Sequence, residues 1–151
     1  MAYINVSGQS SQATLQISTA TIASTSSGYA LKALQDITVN NSVGVFNWTQ
    51  LDTFAQKAVP TPATNSVSGN LVVDDGDFFT GSNGVAGLFD LSNNATKVYF
   101  RVYFNGRNAT AKYIAGEGYL SNLAPTVNPT APVWVSPFTI NVDGVITSGS
   151  V

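Results

Sequence analysis

Residues 97–104 read KVYFRVYF, and in this stretch Val98, Phe100, Val102 and Phe104 alternate with Lys97, Tyr99, Arg101 and Tyr103. Alternation with period two sends one set of side chains into a core and the other outward, the pattern of a half-buried antiparallel strand. The same rhythm recurs on both sides. Upstream, ATLQIS (13–18) sets Leu15 and Ile17 on one face, and LQDITVN (34–40) sets Gln35, Ile37 and Val39 against Asp36, Thr38 and Asn40. NSVSGNLVVDD (65–75) sets Val67, Leu71 and Val73 against Ser66, Ser68 and Asn70. Downstream, KYIAGEGYLSN (112–122) follows, and WVSPFTINVDG (134–144) sets Trp134, Phe138, Ile140 and Val142 against Thr139, Asn141 and Asp143. The opening segment reads as one more strand. The chain is therefore mainly β, and its 151 residues fit a single domain, 1–151, with a real core.

Helix is scarce. GVAGLFDLSNN (84–94) gives Val85, Leu88 and Phe89 helical spacing, with Ser82 or Asn83 as an entry cap and Asn93 or Asn94 as a stop, which predicts one short helix. TQLDTFAQKAVPTPAT (49–64) reads mostly as loop, ended by Pro60 and Pro62. With the preceding residues it forms a connection from about 41 to 63 between early strands, long for a compact domain. Val43, Val45, Phe46, Trp48, Leu51 and Phe54 make it too apolar to stay in water. It either packs back on its own domain or, the reading favoured here, docks on a neighbouring subunit.

Charged residues are only 9% of the chain, where about 25% is usual. The surface must then be built from Ser, Thr, Asn, Gln and Gly. Such a surface resists association weakly, because few like charges repel and few ions lose hydration when two copies meet. Six basic against eight acidic residues give a net charge of −2, without the basic stripe of a nucleic-acid binder. There is no Cys and no His, which removes disulfides, thiolate metal sites, the commonest metal ligand and the usual general base. No cofactor is expected. The opening MAYINVSGQSS lacks the basic and apolar run of a signal peptide, and no apolar stretch is long enough to span a membrane, so the expectation is synthesis in a cytoplasm without membrane insertion.

Motifs for catalysis are missing. VVDDGDFF (72–79) gathers Asp74, Asp75 and Asp77, but counting from Asp75, the EF-hand Gly and Glu positions fall on Thr80 and Ala86, so the match fails and an acidic surface turn is expected. GSNG (81–84) has no Lys at P-loop spacing. Asp36, Glu117 and Asp143 are the carboxylates that an acid–base pair would need, yet nothing in the sequence brings two of them together. The Asn-x-Thr triplets at 47, 94 and 108 read as ordinary loop chemistry. The expectation is that the chain is not an enzyme.

The order of the pieces carries a resemblance. SGNLVVDD, a short helix at GLFDL, TKVYFRVYF, GEGYLSN and the ending PFTINVDGVIT together resemble the major tail tube proteins of long-tailed bacteriophages, over residues 12 to 148. The resemblance implies an antiparallel β-sandwich or partial barrel flanked by one short helix, with a Gly before a final short strand. It implies six copies closing into a ring, and rings stacking into a tube through which the genome leaves, with the long early loop (Val45, Phe46, Trp48, Leu51, Phe54) reaching the adjacent ring. The implied partners are further copies of the chain together with tape-measure, tail-terminator and baseplate proteins. Its place would be the virion tail, after assembly in the host cytoplasm.

A conduit for DNA should not hold DNA, so its wall should lack Lys and Arg and lean negative. The outward residues of the four candidate inner strands fit: Asp36, Thr38 and Asn40; Ser66, Ser68 and Asn70; Glu117, Tyr119 and Ser121; Thr139, Asn141 and Asp143. Tyr119 fits least well. Lys97 and Arg101 fall on KVYFRVYF, which is assigned to an outer sheet. Two other classes remain in play: a viral decoration protein or carbohydrate-binding β-module using exposed Trp48, Trp134 or tyrosines, and an enzyme working with carboxylates alone.

Overall fold

The structure, a computed structural model, describes residues 13–52 and 54–151, so the strand expected in the opening segment lies outside the described residues. Among the described residues nine strands form a single antiparallel sheet: β1 (Thr14–Ser18), β2 (Tyr29–Ala30), β3 (Leu34–Thr49), β4 (Gln56–Val72), β5 (Lys97–Tyr103), β6 (Lys112–Ser121), β7 (Thr126–Asn128), β8 (Ala131–Val142) and β9 (Thr147–Ser150). Their order is β2-β1-β5-β6-β8-β4-β3, with β7 on β8 and β9 on β6. The mainly β, antiparallel architecture is the expected one. It is one continuous sheet that does not close into a barrel.

Strand β5 follows its alternation on the core side, whereas Tyr103, expected to point outward, is buried. Val98, Phe100 and Val102 are buried, and Phe100 and Val102 stand opposite Ile17 and Leu15 of β1. Val67 and Leu71 of β4 and Phe138 and Ile140 of β8 join the same core, as does Leu120 of β6. At ~25 cal/mol per Å2 of apolar surface, each such side chain contributes roughly 1.5–3 kcal/mol. The short helix α1 (Leu88–Asn93) covers this face with Leu88 and Leu91. Its N-cap is Gly87 and its C-cap Asn94, whereas Ser82, proposed as a cap, instead exchanges backbone bonds with Val85 in a tight turn.

Strand β6 organises the sheet. One edge pairs with β5 from Tyr113 to Tyr119, while the other is shared, Gly118–Ser121 with β8 and Lys112–Ala115 with β9. Backbones approach closely where the edge changes partner. A Cβ on Gly118 would collide with the Asn141 carbonyl oxygen, and one on Gly116 would sit 2.9 Å from the Phe100 ring.

The segment 41–63, expected as a loop, is instead the outer part of a β3–β4 hairpin paired from Asn41↔Asn65 to Thr49↔Gln56. The polar residues on both of its faces and the two prolines hid its strand character. β8 leaves β4 at Ser66, so beyond it one side of β4 is open, and there Pro60 and Pro62 are tolerated as on an edge strand. Between Val43↔Ala63 and Val45↔Pro60 the register slips, with one more residue on β4 than on β3. A second slip, at Gln35, returns Leu34 to the core side, so Gln35 does not share a face with Ile37 as the alternation alone suggested. From Asn41 to Thr49 the arm projects roughly 27 Å at the ordinary strand rise.

VVDDGDFF also departs from expectation. Asp75–Thr80 is a π-helical turn capped by Asp74, whose carboxylate accepts from the Asp77 N–H at 2.6 Å. Asp77 is buried rather than on the surface, and its carboxylate accepts from the Lys32 N–H at 2.7 Å. The Tyr29 hydroxyl donates to the carbonyls of Asp77 and Ala86, tying β2 to this turn. Burial pushes the Asp77 carboxyl above its ordinary value, against the pull of the Lys32 bond, and raises the Tyr29 phenol as well, with the Asp77 and Asp74 charges adding to the latter.

Candidate functional site

The registers bring the proposed lining residues of four strands onto one face of the sheet. Asn40, Ser66, Asn141 and Tyr119 form one row across β3, β4, β8 and β6, and Thr38, Ser68, Thr139 and Ser121 form the next. Asp36 stands opposite Asn70, and Glu117 and Asp143 continue the face at its other end, where the Asp143 N–H donates to the Glu117 carbonyl at 2.7 Å. None of these side chains is buried. The face is tied to itself: Asn70 Nδ2 donates to Asp36 Oδ2 at 2.9 Å, and Asn141 Nδ2 to Ser121 Oγ at 2.7 Å. These bonds engage four of the side chains of the face with one another.

Lys97 is a correction. The separate outer sheet assigned to KVYFRVYF does not exist, because β5 lies beside β6 and Lys97 stands opposite Tyr119, in the same row as Asn141. Alternation identifies the face of a side chain, but the neighbour of a strand depends on distant pairing that no local pattern encodes. The ammonium is held by Glu117 Oε1 at 2.7 Å and by Asp143 Oδ2 at 3.0 Å. The hydrogen bond that it donates to Glu117, and then that to Asp143, hold Lys97 above the usual ammonium range, so it remains charged and neutralised at once. The two carboxylates therefore do meet, but across a cation.

Arg101 lies further along β5, its guanidinium donating to the Ile22 carbonyl and stacked 4.3 Å from the Tyr113 ring centroid. Beside it a shallow cleft of about 520 Å3 is lined by Tyr99, Arg101, Tyr113, Glu117 and Asp143. One face of the Tyr113 ring is covered by Arg101, and Gly149 is its cross-strand neighbour on β9. Buried Tyr103 donates to Gln16 at 2.7 Å, and Gln16 in turn donates to the carbonyls of Ser24 and Ser27, sealing the loop over this part of the sheet.

The residues assigned to the long connection are all exposed: Val45 57%, Phe46 60%, Trp48 39%, Leu51 87% and Phe54 84%. They do not pack back on their own domain. Phe46 and Trp48 stack with ring centroids 6.1 Å apart, opposite Val59 and Lys57. Trp134, expected in the core, is 52% exposed, because the β7–β8 end of the sheet runs past the core residues. Two surfaces escaped sequence reasoning altogether. One is the outer edge of β3, sixteen residues long, with Asp36 its only charge and no Pro. The other is a pair of exposed rings, Phe79 and Phe89, 6.4 Å apart above buried Phe78. The Phe-Phe pair at 78–79 was the available signal for the latter.

The fold and surface define a β-protein of one open antiparallel sheet with a polar outer face and a projecting apolar hairpin. No family model matches the sequence, and no curated protein does. Among solved structures, a chain of the virion of a native gene transfer agent particle is similar at a TM-score of 0.58 and 10% identity, over 80% of this chain and 88% of that one. At this identity the likeness is one of fold.

Proposed function

We propose that this chain is a virion structural protein, the subunit of a phage tail tube in which hexameric rings stack around a channel for DNA. The observation that carries the reading is the polar face of β3, β4, β8 and β6, on which aligned Ser, Thr and Asn side chains and three carboxylates meet no free cation. DNA affinity comes chiefly from cations that displace phosphate counterions, and the adjacent Lys97 is already neutralised by two carboxylates. The long edge of β3, unpaired among the described residues, supports assembly, since an unprotected edge is a template for another strand and ring closure would occupy it. The shared fold with a chain of a gene transfer agent virion supports a place in a phage-like particle. In this reading the protein is not an enzyme, binds no cofactor, assembles in the host cytoplasm, and meets tape-measure, tail-terminator and baseplate proteins in the tail.

The test is negative-stain electron microscopy of the purified chain across a concentration series. Rings or tubes with an open bore are expected. A species that stays monomeric at every concentration, or a bore that retains DNA at moderate salt, would overturn the reading.

A further inference from the structure

Resting on that self-assembling reading, we propose that the β3–β4 hairpin of one copy docks on the Phe79–Phe89 platform of another. The hairpin is amphipathic: Phe46 and Trp48 lie on one side of β3, with their cross-strand partners Val59 and Lys57 completing an aromatic and aliphatic strip that ends in an ammonium group. Among the described residues of its own chain the strip has no cover, and every described residue of 41–49 and 54–64 is exposed. Phe79 and Phe89, 53% and 48% exposed, also lack a cover, and buried Phe78 holds them from beneath at centroid distances of 5.0 and 6.3 Å.

Charge together with the paired rings favours this docking over the other apolar surface. Asp75 and Asp90 are exposed on the elements that carry Phe79 and Phe89, and ion pairs among the described residues are confined to Lys97 with Glu117 and Asp143. Lys57 and these two aspartates are thus opposite charges without an ion-pair partner, each beside exposed aromatic rings. The alternative receptor, the Val133–Trp134 surface, is bonded through the Trp134 carbonyl to Val73 and so shares Asp74 and Asp75 with the platform; what the platform alone adds is the Phe79–Phe89 ring pair with Asp90 next to it. Aromatic rings meeting rings add to area burial, and opposite charges at the rim set partner choice and orientation. Hairpin and platform are different surfaces, so the contact is heterologous: it propagates from copy to copy, as stacking requires.

The experiment is a charge exchange read by sedimentation and negative-stain microscopy. Lys57→Asp alone, and Asp75→Lys with Asp90→Lys alone, should each raise the concentration needed for tubes by about tenfold. The triple variant, with the charges exchanged, should return to within about threefold of the parent. All these sites are exposed, so thermal melts should stay close to the parent and separate docking from folding. The docking is refuted if the parent forms tubes and the single-side variants do so equally well, or if the triple variant fails as the single-side variants do. It is equally refuted if Trp134→Ser, with the charges intact, abolishes stacking while the charge variants do not. A parent that never assembles would instead overturn the tube reading itself, so the two failures are distinguishable.

Discussion

Gly118→Ala and Gly116→Ala place the same methyl group on neighbouring core-side positions of β6 but should have very different costs. At Gly118 the new Cβ falls on the Asn141 carbonyl oxygen, a backbone atom held in the β6–β8 ladder, so strand β8 itself must move. At Gly116 it meets the Phe100 ring at 2.9 Å and the Val142 Cγ1 at 3.6 Å, both side-chain atoms with room to adjust. Overpacking costs about 1–3 kcal/mol, and the upper end applies where backbone cannot yield. The expectation is about 3 kcal/mol for Gly118→Ala and about 1 kcal/mol for Gly116→Ala. For a chain of this size that corresponds to melting temperatures lower by roughly 6–12 °C and 2–4 °C. Urea unfolding followed by tryptophan fluorescence and circular dichroism measures both, with the subunit held below its assembly concentration. Because β6–β8 pairing builds the centre of the polar face, Gly118→Ala should also impair tube formation. Equal destabilisation by the two substitutions, or a larger loss at Gly116, would refute the argument that strand approach at Gly118 governs the β6–β8 junction.

Three further outcomes are expected. Phe46→Asp or Trp48→Asp should change subunit stability by no more than about 0.5 kcal/mol, because both rings are exposed, yet block stacking; tubes of normal length by electron microscopy would contradict this. Asn141→Lys adds an unpaired ammonium to the polar face and should leave tubes intact but make them retain DNA, each phosphate contact steepening the log-log salt dependence by about 0.9; retention unchanged between low and moderate salt would count against it. Asp77 has a folded pKa above its ordinary 3.8, so the native state binds the extra proton, and its contribution to stability falls as pH rises from 3.8 to the folded value and is constant beyond. Asp77→Asn should therefore gain on the parent as pH rises through that window, and urea midpoints that show no such divergence, or the opposite one, would refute the assignment.

Alternation was a sound guide to faces, because side chains in a paired strand have no other choice of direction. Thr38, Ser68, Thr139 and Ser121, read one strand at a time, fall in a single row. What alternation leaves open is which strands are neighbours, and Lys97 was misplaced for that reason. The outer part of the hairpin was obscured by composition: Gly44, the two prolines and a run of Asn and Thr weaken strand propensity, and its strand character comes from eight cross-strand pairs between Asn41↔Asn65 and Thr49↔Gln56. Asp77 was misread because a carboxylate in an acidic cluster is ordinarily solvated, and only the backbone N–H of Lys32, forty-five positions away, makes its burial tolerable.

The unequal register between Val43–Val45 on β3 and Ala63–Pro60 on β4 has a mechanical consequence. An extra residue on one side of a two-stranded ribbon bends it and sharpens its twist. The sheet is braced on both sides of β4 only as far as Ser66, just short of that point, while the arm from there outward has only its own two strands. A force applied at the tip should therefore be taken up as bending within this unbraced part of the arm rather than in the body, and in the proposed tube that would let a column of subunits flex sideways while the wall of its bore keeps its shape.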